Sequence, residues 1–392
     1  MSAPVLVVSG GAESVSVSLA DWARSSGQAI SVYSLVRDSL LEAAPGPGSV
    51  RYAPEGDREV VLADLADYVI GLRALCDAPV IAFPTEDDSL GLLLELADRL
   101  GGGVLACSRC RALPGGGLDK ASLFSFLEAK GLGDVIARTL TVRGEDELPA
   151  AMAILGGDMI LKPASKPWAA TLESGAKIHS GEELVAGARE RGRDFAAGRS
   201  WVAQRRLASL RGGERSACVV RDPHGTVLYA EVVEWLKYPA RGGSACIVET
   251  QPDELGLREA TLAILDALDA VGIVELSFLA DEAGRPRLLE LNARPWLQID
   301  LLQVSGFDLL GAAQVALAGG AIASRDVALR PRTWVSLERL LLKFARGDGP
   351  RWRTLGRMLV AIGRRPVLST WSASLPGIRW RWMRRLVGRA LR

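Results

Sequence analysis

The sequence predicts an α/β protein: an open parallel α/β domain at the N-terminus, further α/β lobes behind it, and a basic helical extension at the C-terminus. Three observations predict it. Short apolar runs alternate with amphipathic stretches through the first 112 residues, the pattern of β-α units feeding a parallel sheet. Two alternating runs, 272–278 and 288–294, flank the turn signal Asp281-Glu282-Ala283-Gly284-Arg285-Pro286 and read as a hairpin. Beyond residue 325 the charge balance and tryptophan content change together.

Residues 5–8, 30–35 and 80–83 read as strands, and 15–24, 59–75 and 90–100 as amphipathic helices. Ligands of such sheets bind beyond the strand carboxyl ends, where Ser9-Gly10-Gly11 and Phe83-Pro84-Thr85-Glu86-Asp87 stand. Gly101–Gly103 and Pro114–Gly117 punctuate a linker. The expected division is 1–112, 113–203, 204–325 and 326–392, since 392 residues exceed one ordinary core.

Composition is that of a soluble globular protein, 48% apolar and 24% charged. No apolar run reaches transmembrane length, and the N-terminus lacks the basic n-region of a signal peptide. Five scattered cysteines and a lone Cys107-x-x-Cys110 suggest neither a disulfide framework nor a zinc site, so a cytoplasmic location is expected. Two histidines, His179 and His224, lack a nucleophile context, which disfavours hydrolase and dehydrogenase chemistry. The P-loop pattern is absent.

The hairpin carries the chemistry. Residues two apart on a strand share a face, so Glu290, Asn292 and Arg294 are expected to project together, with Glu275 joining from the paired strand. Two carboxylates and an amide oxygen are hard ligands of the kind Mg²⁺ takes alongside phosphates and waters. Arg294 adds a fixed cationic fork for developing negative charge. A solvated charged hairpin is the plainer alternative.

Of 47 basic residues only seven are Lys, so a retained Lys hints at a need for a compact point charge on phosphate. Lys162 ends an apolar strand ahead of a Ser/Thr/Gly loop, and Lys120 opens a helix after a Gly-rich turn. Both are read as phosphate ligands, against the alternative of ordinary surface residues.

The ordered set Asp119-Lys120, Leu161-Lys162-Pro163, residues 202–207, Val274-Glu275 and Leu289-Glu290-Leu291-Asn292-Ala293-Arg294 resembles the ATP-grasp superfamily of carboxylate–amine ligases. Within it the chain is most similar to the D-aspartate ligase and carbamoyl-phosphate-synthetase-like branch, over roughly residues 80–320. The resemblance implies a two-lobed ATP-grasp fold with ATP between a small lobe (113–203) and a large catalytic lobe (204–325). Gln204, Arg206 and Leu207 would then meet the adenine, while Glu275, Glu290 and Asn292 hold Mg²⁺. Lys120 and Lys162 would neutralise phosphate, and Arg241 clamp a substrate carboxylate. Glu290, Lys162 and Arg294 are the catalytic candidates, with ATP and Mg²⁺ as cofactors and a carboxylate and an amine as substrates. An ATP-grasp carboxylase or thioester-forming ligase stays open, as does a non-catalytic nucleotide-binding protein tethered by its basic tail.

Residues 330–392 hold sixteen basic residues, two acids and five tryptophans, a balance of +14 against −13 for the remainder. Opposite signs predict docking of this tail on the body; a membrane-associated tail is the alternative, and no nucleic-acid partner is expected. A homodimer is compatible with the sequence.

Overall fold

The computed structural model describes residues 3–390 apart from 38, 44–49, 77, 157–158, 166–177, 180–187, 209–212, 240–242, 252–255, 324–329, 348–350, 365 and 371–375. Arg241 and most of the loop after Lys162 therefore lie outside the described residues.

The first sheet is built from β1 (Val5–Ser9), β2 (Ile30–Ser34), β3 (Val50–Tyr52), β4 (Val80–Pro84) and β5 (Val104–Ala106), all parallel, in the order β3-β2-β1-β4-β5. The central strands β1 and β4 are buried at every residue because helices cover both faces. α1 (Glu13–Ser25), α2 (Arg58–Cys76) and α3 (Asp87–Leu100) supply that cover. α3 starts on a capping box between Glu86 and Ser89, which fixes the loop after β4.

β6 (Ser108–Cys110) leaves this sheet and pairs with a strand far ahead in the chain. A second, antiparallel sheet follows: β7 (Thr139–Val142), β8 (Met159–Pro163), β9 (Ile178–His179) and β10 (Trp201–Arg205), ordered β7-β10-β8-β9. One face, with Met159, Leu161, Trp201 and Ala203, packs on α5 (Leu148–Leu155). α4 (Lys120–Ala129) precedes this sheet, capped by Asp119 accepting from the Ser122 N–H at 2.7 Å.

The third sheet holds β11 (Glu214–Arg221), β12 (Val227–Tyr238), β13 (Ser244–Gln251), β14 (Ala270–Ala280), β15 (Pro286–Asn292), β16 (Thr333–Val335) and β17 (Val367–Leu368). Its order is β15-β14-β11-β12-β13-β16-β17, with β6 also on β14. Gly272 is required where β6 crosses: its φ is +97°, and a Cβ there would lie 2.2 Å from the Cys107 carbonyl oxygen.

The β14–β15 hairpin is present as the alternation predicts. Asp281 organises its turn, its Oδ1 accepting from the Ala283 and Arg285 N–H groups at 2.9 Å and its Oδ2 from Arg287 Nη2 at 2.7 Å. Burial pushes the Asp281 carboxyl up, but the Arg285 N–H and the Arg287 and Arg285 guanidinium groups outweigh it and hold it down at about 2. A depressed carboxylate stabilises the fold above its unfolded pKa and loses that contribution as pH falls through the folded value. Asp281→Asn should therefore cost on the order of 1–3 kcal/mol at neutral pH. In thermal melts the gap between variant and wild type should narrow as pH falls from roughly 4 toward 2. A gap independent of pH across that range would refute this role.

The tail docks on the body. Ile378 and Trp382, on the helix Pro376–Ala390, are buried against Val17, Ala20 and Leu40 of the first domain. Arg381 pairs with Glu42 at 2.5 Å and Arg385 with Glu13 at 3.3 Å. The expectation of a purely helical extension needs one amendment: β16 and β17 come from this segment and extend the third sheet beside β13. No helix among the described residues is long and apolar enough to cross a membrane.

Candidate active site

Strand register brings the hairpin residues together. Glu275 lies opposite Asn292, and Ser277 opposite Glu290. Asn292 Nδ2 donates to Glu275 Oε2 at 3.1 Å. Arg294 lies just past the end of β15, not on the strand as the alternation suggests, and reaches back. Its Nη2 donates to Asn292 Oδ1 at 3.3 Å, and its Nε to Asp87 Oδ1 at 2.6 Å. Asp87 opens α3, so the first domain holds the arginine of the third sheet in place.

Glu275 sits in a deeper charged network. Gln298 Nε2 donates to Glu275 Oε1 at 3.3 Å and to Glu234 Oε1 at 3.2 Å. Lys237 pairs with Glu234 at 3.1 Å and also with Glu214. Burial, and then the Glu234 charge, push the Glu275 carboxyl up to about 8, against the pull of Asn292, Ser216 and Arg294. Such a carboxylate is under-compensated, and a cation would relieve it.

Lys120 Nζ stands 4.0 Å from Glu290 Oε1, at a cleft lined also by Asp87, Gly117 and Asn292. The Lys120 N–H donates to the Ala164 carbonyl at 2.8 Å, tying the start of α4 to the end of β8, two residues past Lys162. Lys162 and Gln204 lie on the face of the second sheet opposite its apolar core: Val202 pairs with Lys162, and Gln204 with Ile160. Both are buried. Gln204 Nε2 donates to Thr139 Oγ1 at 3.0 Å, while its Oε1 is buried without a hydrogen-bond partner. A buried orphan acceptor is costly unless a ligand donor meets it. Leu207 packs against the core of the third sheet, and Arg206 is exposed beside it. The structure thus gathers Glu275, Glu290, Asn292, Arg294 and Lys120. Lys162 and Gln204 lie on the neighbouring sheet.

The donor set fits Mg²⁺ bound with a nucleotide. Glu275, Glu290 and the Asn292 amide offer hard oxygens, and no group of three or more carboxylate, cysteine or histidine side chains forms a cage among the described residues. Mg²⁺ commonly takes one or two carboxylates and completes its shell with phosphates and water.

Sequence reasoning missed Glu234, Lys237, Glu214 and Gln298. The signal available for Lys237 was the scarcity of lysine itself, since it is one of seven. Gln298 follows Arg294 by four residues, and no periodicity marks it.

No protein-family model and no curated protein matches the chain. Solved structures do. The N5-carboxyaminoimidazole synthetase of Staphylococcus aureus, complexed with ADP, superimposes with a TM-score of 0.61 at 16% identity, over 87% of this chain and 84% of that one. The biotin carboxylase of Campylobacter jejuni gives 0.60 at 14%, over 84% and 74%. The L-amino acid ligase of Bacillus licheniformis gives 0.59 at 14%, over 85% and 79%. These likenesses establish the fold: the chain has the ATP-grasp fold, with an N-terminal parallel-sheet domain.

Proposed function

We propose that the protein is an ATP-dependent ligase that activates a carboxylate as an acyl phosphate and joins it to an amine. The observation that carries this reading is the convergence of Glu275, Glu290, Asn292 and Arg294 on one hairpin end facing Lys120. The buried Gln204 acceptor on the second sheet suits the adenine amino group. Glu275, Glu290 and Asn292 would hold Mg²⁺, which supplies charge neutralisation on the phosphates when bound. Lys120 and Lys162 add point charges to the same phosphates.

In the first step a carboxylate oxygen attacks the γ-phosphorus and the bond to ADP breaks. In the second the amine nitrogen attacks the acyl carbon, loses a proton and expels phosphate. Arg294 stabilises the charge on the transferring group and on the tetrahedral oxyanion. This is catalysis by position and electrostatics, so the scarcity of histidine is no obstacle. The five cysteines are free, which suits a reducing cytoplasmic setting.

A carboxylating reaction is the second reading, favoured by the two carboxylating neighbours. It uses the same activation with bicarbonate as the acid. The test is phosphate release from ATP and Mg²⁺ across a panel of carboxylic acids and amines, with bicarbonate as a separate arm. Release that needs both an acid and an amine, with an amide product by mass, is expected. Release that needs bicarbonate and yields a carboxylated product favours the second reading. No release with any pair tested counts against both.

A further inference from the structure

The docked tail keeps one face outward. On the helix Arg351–Gly363, Ala361 is buried against the third sheet, and Thr354, two turns earlier, is buried too. Trp352, Leu355, Leu359 and Ile362 recur at helical spacing on the opposite side, 70%, 41%, 61% and 53% exposed. The preceding helix, Leu337–Arg346, adds exposed Leu341 and Phe344. Single exposed apolar residues are ordinary; a continuous row with tryptophan at one end is not.

The polar positions of the same helix are all cationic or neutral. Between residues 349 and 392 there are eleven arginines and no acid. Arg353 lies over the Trp352 ring, 5.0 Å from its centroid. Arg357 donates to the Trp235 carbonyl, and Arg364 pairs with Glu249. These two contacts clamp the helix to β12 and β13, so the apolar row is presented on a fixed base.

We propose that this face docks the protein on an anionic lipid surface, the helix Arg351–Gly363 lying in the plane of the headgroups. An apolar stripe with tryptophan, flanked by arginine, is what such interfacial helices carry. At thirteen residues the helix is about 20 Å long. That is too short to span a bilayer of roughly 30 Å, so it lies on the membrane. Charge argues against a second copy as the occupant, because pairing the helix Arg351–Gly363 with itself would bring arginines against arginines, and that helix carries no acid. The aliphatic row argues against nucleic acid, to which Leu355, Leu359 and Ile362 offer neither stacking nor hydrogen bonds. The docking is separate from the ligase reading and stands if that reading fails.

The test is co-sedimentation of the full chain with phosphatidylcholine vesicles, with and without about one-third phosphatidylglycerol, over a range of salt. Binding to the anionic vesicles alone, weakening with salt, is expected. Trp352→Ala/Leu359→Gln/Ile362→Gln should weaken it at least about tenfold. A milder variant guards against misfolding. With acyl-brominated phosphatidylglycerol, part of the tryptophan fluorescence should be quenched in wild type and that part lost in Trp352→Phe. Absence of binding to anionic vesicles at low salt overturns the proposal. So does undiminished binding by the triple variant, quenching unchanged in Trp352→Phe, a wild-type dimer that the triple variant dissolves, or duplex DNA binding that depends on the same apolar residues.

Discussion

Glu290→Gln is expected to lower turnover at least about 100-fold, the usual cost of removing a preorganised charge at the point where negative charge is transferred. Glu290 lies 4.0 Å from Lys120 Nζ and on the same strand face as Asn292. The amide keeps the shape and loses the anion, so the fold should be unaffected. Steady-state phosphate release with the best substrate pair, together with a Mg²⁺ titration, checks it. Turnover near wild type at saturating Mg²⁺ would falsify the assignment of Glu290 to the metal site.

Arg294→Lys is expected to cost about 10²- to 10³-fold in kcat while leaving the KM for ATP within a few-fold. The guanidinium serves three acceptors in different directions: Asp87 through Nε at 2.6 Å, Asn292 through Nη2 at 3.3 Å and the Pro295 carbonyl through Nη1 at 3.2 Å. A lysine carries the charge but not the planar fork, so it cannot hold the Asn292 amide while pairing with Asp87. Steady-state kinetics with ATP and with the acid varied in turn separates the two parameters. A raised KM for ATP with unchanged kcat would instead make Arg294 a nucleotide-binding residue.

Much of this site was legible because its parts are local. The β14–β15 hairpin is an alternating pattern around an Asp-x-x-Gly turn, and alternation fixes which residues share a face. Lys120 was legible from the scarcity of lysine and the Gly-rich turn before its helix, and Lys162 from the apolar strand it ends. What was hidden is non-local. Nothing around Asp87 announces a partner 207 positions away in Arg294. Glu234 and Lys237 become a charged cluster only through Glu214 on the neighbouring strand and Gln298, 64 positions beyond Glu234. β6, with three residues, and β17, with two, are too short to carry a period, and only their distant partners make them strands. The tail was read correctly as docked in Trp382, but the exposure of Trp352 depends on which face of a helix meets the body, which composition does not reveal.

The placement of β16 and β17 has a consequence for how the chain reaches this fold. Both follow every other strand in chain order; β16 covers β13, and β17 covers β16. Until they arrive, β13 presents an open row of backbone donors and acceptors, the kind of template on which partly folded chains aggregate. The arginines around these late strands then act as gatekeepers, because like charge keeps neighbouring unfinished molecules apart. A shortened chain ending before Thr333 would lose the sealing strands and the repulsion together, and its failure would show as insolubility before any defect in catalysis could be measured.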